Sequence, residues 1–164
     1  MDRFDDKDRF PQRRHPRIKN YNYATPNYYF ITICTHNKQC IFGQPNALNR
    51  FGKIADQAIQ SIGCHFDAVL VDKYVVMPNH VHAIIALGDY GPDLTMIIGQ
   101  YKAHVSKQIH QFAPDLTVWQ TSFHDHVIRT QKSYEKIWHY IDTNPVKWPD
   151  DCFYLESRNL PTEQ

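Results

Sequence analysis

Four side chains in this sequence have the types and spacing to do chemistry together. His80 and His82 flank Val81 in the stretch Pro78-Asn79-His80-Val81-His82, and Tyr140 stands four residues before Asn144. Residues two apart on a strand project from the same face, which puts the two imidazoles roughly 7 Å apart at Cβ, close enough to share one cation. Val81 then points the other way, into packing. On a helix, residues four apart are neighbours, so the Tyr140 phenol and the Asn144 carboxamide project together.

Two neutral imidazoles and an amide oxygen can hold a divalent ion and leave positions open for phosphate oxygens and water. Mg²⁺ prefers oxygen donors and imidazole suits Mn²⁺ better, so the donor set fits either. A phenol with a reference pKa of about 10 is a poor nucleophile at neutral pH. An ion gripping a phosphate helps by drawing charge from phosphorus and stabilising the departing oxygen. Attack by tyrosine would keep the phosphodiester's bond energy in a protein link, which a later hydroxyl can reverse without ATP. Each pair alone is a weak signal. Histidines at a strand end are usually hydrogen-bonded structural residues, and a boundary tyrosine beside a helix-terminating asparagine is ordinary.

The stretch 118–129, VWQTSFHDHVIR, interleaves Trp119, Phe123, His124, His126 and Arg129. Such mixtures stack on and neutralise single-stranded nucleic acid, and they equally describe core aromatics with exposed polar neighbours. Residues 1–20 alternate acids and bases before Arg13, Arg14, Arg17 and Lys19 follow without an acid, which reads as a flexible charged arm. Arg13, Arg14, Arg17, Lys19, Lys102, His126 and Arg129 are the candidate DNA contacts.

The elements that must position these groups are legible from periodicity. Residues 28–35, YYFITICT, are aromatic and β-branched and predict a buried strand. Apolar positions from 46 to 63 fall at helical spacing, with Gly63 as the expected stop. Residues 66–77 and 81–87 predict two more strands separated by Pro78-Asn79, the latter apolar on both faces and hence central. A helix is expected over 94–111, and 118–129 reads as a short strand or an irregular segment. A last helix starts near Gln131 with Thr130 as N-cap and stops at Asn144, because Pro145 disfavours helix in the residue before it. Tyr134, Ile137, Trp138 and Ile141 form its expected core stripe. The tail after Trp148 reads as loose. The order predicts an α+β fold with a mostly antiparallel sheet covered by helices, divided into an arm (1–20), a catalytic domain (21–148) and a tail (149–164).

The 164 residues suit one domain with some tail, and 13% aromatics can build a core. A net charge of +1 excludes a global polycation, so any nucleic-acid contact must be local. Cys34, Cys40, Cys64 and Cys152 show no CxxC pairing, which speaks against a four-cysteine zinc site and for reduced, mostly buried thiols in a cytosolic protein. No apolar run reaches the roughly 20 residues of a membrane span.

Taken together, YYFITICT (28–35), YVVMPNHVHAII (74–85), VWQTSFHDHVIR (118–129) and YIDTNPVKW (140–148) resemble the REP-associated tyrosine transposases, single-tyrosine relatives of the insertion-sequence transposases in the HUH endonuclease class. The resemblance covers about residues 20–148. It implies a ferredoxin-like or RRM-like sheet, the HUH endonuclease fold. It implies that His80 and His82 are the HUH histidines, Tyr140 the nucleophile, and Asn144 a third metal ligand beside them, for Mg or Mn. It further implies cleavage of single-stranded DNA beside a hairpin, giving 5′-phosphotyrosine and 3′-hydroxyl products, by a monomer or homodimer on the nucleoid of a bacterial cytoplasm. It raises the N-terminal bases as hairpin contacts. A histidine-triad nucleotide hydrolase would need a third histidine where Ile84 stands, and a cupin-like site would need a downstream glutamate missing from VHAIIAL. The rival of another class is a domesticated hairpin-DNA-binding protein that does not cut.

Overall fold

A computed structural model describes residues 17–154; Arg13 and Arg14 lie outside the described residues. A four-stranded antiparallel sheet is built from β1 (Asn27–Cys34), β4 (Val69–Met77), β5 (His80–Leu87) and β6 (His124–Ile128), in the order β4-β5-β1-β6. A small ribbon, β2 (Gly43–Gln44) with β3 (Ala47–Leu48), precedes α1 (Arg50–Gln60). After α2 (Ile62–His65) come β4 and β5, then α3 (Leu94–Ile109), β6 and α4 (Gln131–Thr143). The main elements therefore run βαββαβ with interleaved strand order, the ferredoxin-like arrangement that the family resemblance implies.

Strand alternation gives the sheet two different faces. Tyr29, Ile31 and Ile33 of β1 and Val81, Ala83, Ile85 and Leu87 of β5 face α1 and α3 in the main apolar core. Ala55, Ala58 and Ile59 of α1 and Leu94, Ile97, Ile98, Tyr101, Val105 and Ile109 of α3 complete it. The opposite face carries a smaller patch in which Phe30, Ile84 and Ile128 pack under Ile137 and Ile141 of α4. Both faces of β5 are thus covered, which is why its sequence is apolar almost throughout.

Three local expectations are corrected. Ser61 divides the expected 46–63 helix into α1 and α2, Gly63 lies inside α2 rather than ending a helix, and residues 43–48 form the ribbon. Asn49 accepts from the Gly52 N–H at 3.0 Å and so starts α1 at Arg50. Trp138 is not in the α4 core stripe; it is 37% exposed, with the Lys73 ammonium 3.9 Å from its ring centroid. Of the four cysteines only Cys34 is buried, and none forms a disulfide. No described helix is long and apolar enough to cross a membrane.

Candidate active site

The site lies on the α4 face of the sheet, where β5 begins. Met77 and His80 are register partners on either side of Pro78-Asn79, so the first residue of β5 is already locked into the sheet. His80 and His82 sit opposite Cys34 and Thr32 of β1, and their ring centroids are 4.4 Å apart. Both rings are buried, with exposures of 0% and 1%.

The orientation of His80 follows from its neighbour. Asn79 Nδ2 donates to the carbonyls of Lys38 at 3.1 Å and Phe153 at 2.7 Å, which turns Oδ1 toward His80 Nδ1 at 2.8 Å. An acceptor at that position selects the Nδ1–H tautomer and leaves the Nε2 lone pair free. His82 Nδ1 lies 2.8 Å from Thr32 Oγ1, and its Nε2 faces the Tyr140 hydroxyl at 3.4 Å. Burial drives the His80 pKa down to about 3; the Asn144 carboxamide opposes this and the Lys38 charge adds to it. Burial and the adjacent His80 hold His82 well below the usual range as well. Both rings are therefore neutral donors at physiological pH.

Tyr140 and Asn144 are delivered by α4. Thr130 Oγ1 accepts from the Ser133 N–H at 3.1 Å and fixes the helix start, while Ile137 and Ile141 anchor it to the sheet. Tyr140 meets Phe30 edge-on at 6.2 Å, and Asn144, the C-cap, is buried beside the histidines. Burial raises the Tyr140 pKa, and the charges of Asp151 and Cys152 raise it further, so the phenol is protonated. Two buried side-chain atoms among the described residues lack a hydrogen-bond partner: His80 Nε2 and Asn144 Oδ1. Both are acceptors, and leaving such atoms unsatisfied costs roughly 1–3 kcal/mol each. A cation satisfies both at once, so this donor set fits a divalent ion.

A carboxylate completes the cluster. Donor atoms of His80, His82 and Asp151 all lie within 4.8 Å of one another. The segment after Trp148, expected to be loose, is docked as far as Tyr154. Phe153 lies 4.5 Å from the His80 ring and 5.9 Å from that of His82, and Trp148 is 5.9 Å from His80.

With this geometry in place, the family model described as "Transposase IS200 like" matches residues 23–144, spanning both histidines, Tyr140 and Asn144. The chain belongs to the IS200-like transposase family. It is 35% identical to an uncharacterized protein of Haemophilus influenzae over 88% of this chain and 94% of that one. It is 30% identical to a REP-associated tyrosine transposase of Escherichia coli, over 52% of this chain and 55% of the relative. Among solved structures, a REP-associated tyrosine transposase bound to a REP hairpin superposes with a TM-score of 0.61 at 22% identity, covering 80% of this chain and 73% of that one. A transposase-like protein from Deinococcus radiodurans gives 0.53 at 13% identity, over 77% and 95%. These two similarities establish the fold.

In this IS200-like chain the expected site residues His80, His82, Tyr140 and Asn144 come together. Of the described candidate DNA contacts only His126 shares the face of the site. The Arg17 guanidinium lies 3.5 Å from the Phe123 ring centroid and bonds Asp125 at 3.3 Å and the Phe123 carbonyl at 2.9 Å. Lys102 Nζ donates to the Gln120 carbonyl at 2.5 Å, tying down the loop before β6; burial lowers its pKa. Trp119 and Phe123 are core residues. Lys19 and Arg129 are exposed. His124 and His126 share the active-site face, opposite Thr32 and Phe30 of β1.

Sequence reasoning missed Thr32, the orienting role of Asn79, and Asp151. Nothing in spacing marks Thr32 or Asp151. A usable signal was aromatic: Trp148, Phe153 and Tyr154 crowd a polar stretch, and such rings concentrate where they can be buried.

Proposed function

We propose that this transposase nicks and rejoins single-stranded DNA through a covalent bond to Tyr140, next to a hairpin such as the one bound by its structural relative. The observation that supports this reading is the convergence of the Tyr140 hydroxyl, 3.4 Å from His82 Nε2, with the two unsatisfied acceptors on His80 and Asn144. His80, His82 and Asn144 would hold a divalent ion, Mg²⁺ or Mn²⁺. When bound, that ion supplies charge withdrawal from the scissile phosphate and stabilisation of the leaving oxygen.

The chain's own groups do the rest. Phe30 and the α4 anchor fix the Tyr140 ring, so the hydroxyl is positioned before substrate arrives. Attack forms the bond between the tyrosine oxygen and the 5′-phosphate and breaks the bond to the 3′-oxygen, which leaves as a hydroxyl. A 3′-hydroxyl attacking the phosphotyrosine reverses these changes and restores the phenol. One chain carries both the histidines and the tyrosine, which supports action within a monomer, although a homodimer would keep the same groups. DNA affinity rests on phosphate contacts. Exposed Lys19 and Arg129 and the sheet-face His126 are the described candidates, together with Arg13 and Arg14 of the 1–20 arm. Arg17 and Lys102 would need release from Asp125 and the Gln120 carbonyl to contribute. A substrate of this kind places the protein on the nucleoid of a bacterial cytoplasm.

The test is a covalent adduct. Wild type incubated with single-stranded hairpin DNA and Mn²⁺ should yield a protein–DNA species that survives denaturation. Tyr140→Phe should reduce it by at least about 10⁴-fold. His80→Ala should also abolish cleavage while hairpin binding persists. A hairpin shift with no adduct across several substrates would instead identify a binding protein that does not cut.

A further inference from the structure

Asp151 stands outside the residues that the sequence points to, yet its carboxylate is directed at them. Its Oδ2 accepts from Asn144 Nδ2 at 2.6 Å, and its Oδ1 accepts from the Phe153 N–H at 2.8 Å. No cation among the described residues forms an ion pair with it. Ligand atoms of Asp151, His80 and His82 lie within 4.8 Å of one another, beside the unsatisfied lone pairs of His80 Nε2 and Asn144 Oδ1. Converging acceptors repel one another, and burial amplifies the repulsion. The segment that carries Asp151 is attached to the same site at two more points. The Phe153 carbonyl accepts from Asn79 Nδ2, and the Phe153 ring covers His80.

We propose that Asp151 is an anionic ligand of the divalent ion, delivered by the segment after Trp148, so that metal binding fastens residues 149–154 across the two histidines. The inference rests on the metal site proposed above. It changes the character of that site, because a carboxylate adds a negative charge to donors that are otherwise neutral. Two imidazoles and one carboxylate suit Mn²⁺ better than Mg²⁺, which favours an all-oxygen shell.

The experiment is a calorimetric titration of the full chain with Mn²⁺, paired with amide hydrogen exchange over residues 149–154 with and without the ion. Wild type should bind Mn²⁺ more tightly than Mg²⁺, and Mn²⁺ should slow exchange of the Phe153 N–H at least tenfold. Asp151→Asn, close in shape, should weaken Mn²⁺ binding about tenfold or more and remove the slowing; Asp151→Glu should recover part of the affinity. His80→Ala serves as the control on the site itself. If it binds Mn²⁺ as tightly as wild type, the metal site and this inference fall together. If His80→Ala loses the ion while Asp151→Asn keeps wild-type affinity, only the role of Asp151 is overturned. The exchange measurement on wild type needs no substitution, and unchanged protection of Phe153 in Mn²⁺ would also overturn the proposal.

Discussion

Along β5, Val81, Ala83, Ile85 and Leu87 turn toward α1 and α3, while His80, His82 and Ile84 turn toward α4. The first set meets a closely packed apolar layer. The second begins with two buried histidines under Phe153 and joins the apolar patch of α4 at Ile84. The same backbone and the same hydrogen-bond ladder serve both, and only side-chain parity separates them. Stability is concentrated on one face. The other gives up apolar burial, carries unsatisfied acceptors, and depends on the main core to hold its geometry.

The sharpest test of that division is a pair of substitutions on opposite faces of the sheet. Ile85→Ala should destabilise the fold by about 2–5 kcal/mol in urea unfolding, because it opens a cavity in the main core. Tyr140→Phe, which keeps the ring and loses the hydroxyl, should change unfolding by less than about 1 kcal/mol. If the two losses were equal, the faces would not differ as described.

Acid should find the active-site face first. His80 and His82 are held neutral in the fold, with His80 down to about 3, whereas an unfolded imidazole titrates near 6.5. Below that value the unfolded chain binds protons that the native state refuses. Metal-free protein should thus keep its full stability above about pH 6.5. It should lose about 1.4 kcal/mol per pH unit for each histidine as the pH falls toward the folded values. His80→Ala should remove its share of that slope and leave those of His82 and of His124, whose pKa burial also lowers; an unchanged slope would place the sensitivity elsewhere.

Metal should narrow the contrast between the faces. Mn²⁺ at one hundred times its dissociation constant should stabilise the native state by about 2.7 kcal/mol, seen as a rise in Tm that EDTA reverses and His80→Ala lacks. The smallest effect belongs to the outer side of α4. Trp138→Ala removes a cation–π contact with Lys73 at a half-exposed position and should change stability by about 1 kcal/mol or less. A larger loss would mean that Trp138 itself anchors α4 to the sheet, beside Ile137, Ile141 and the Lys73–Asp142 pair.

Much of this architecture is written in local pattern. The apolar, β-branched runs of β1 and β5, the Thr130 cap and the stop at Asn144 depend on residues close in sequence, and the structure places them within a residue or two of expectation. The 118–129 stretch is different. Its aromatics do not distinguish a DNA platform from a core, and their burial depends on α3: Trp119 Nε1 donates to the Lys102 carbonyl, and Phe123 lies under Arg17. A charged residue near the N-terminus likewise looks available for phosphate until Asp125, far along the chain, takes Arg17.

The sequence alone determined which residues have the chemistry of this site, because types and short spacings such as HVH, or a tyrosine four before an asparagine, are set by strand and helix geometry. Tertiary structure alone decided that the phenol reaches His82, that Asn79 selects the His80 tautomer, and that Asp151 and Phe153 close over the pair. These arrangements depend on residues tens of positions apart, including the Lys38 and Phe153 carbonyls that turn Asn79 toward its neighbour His80, and no local period encodes where a distant segment comes to rest.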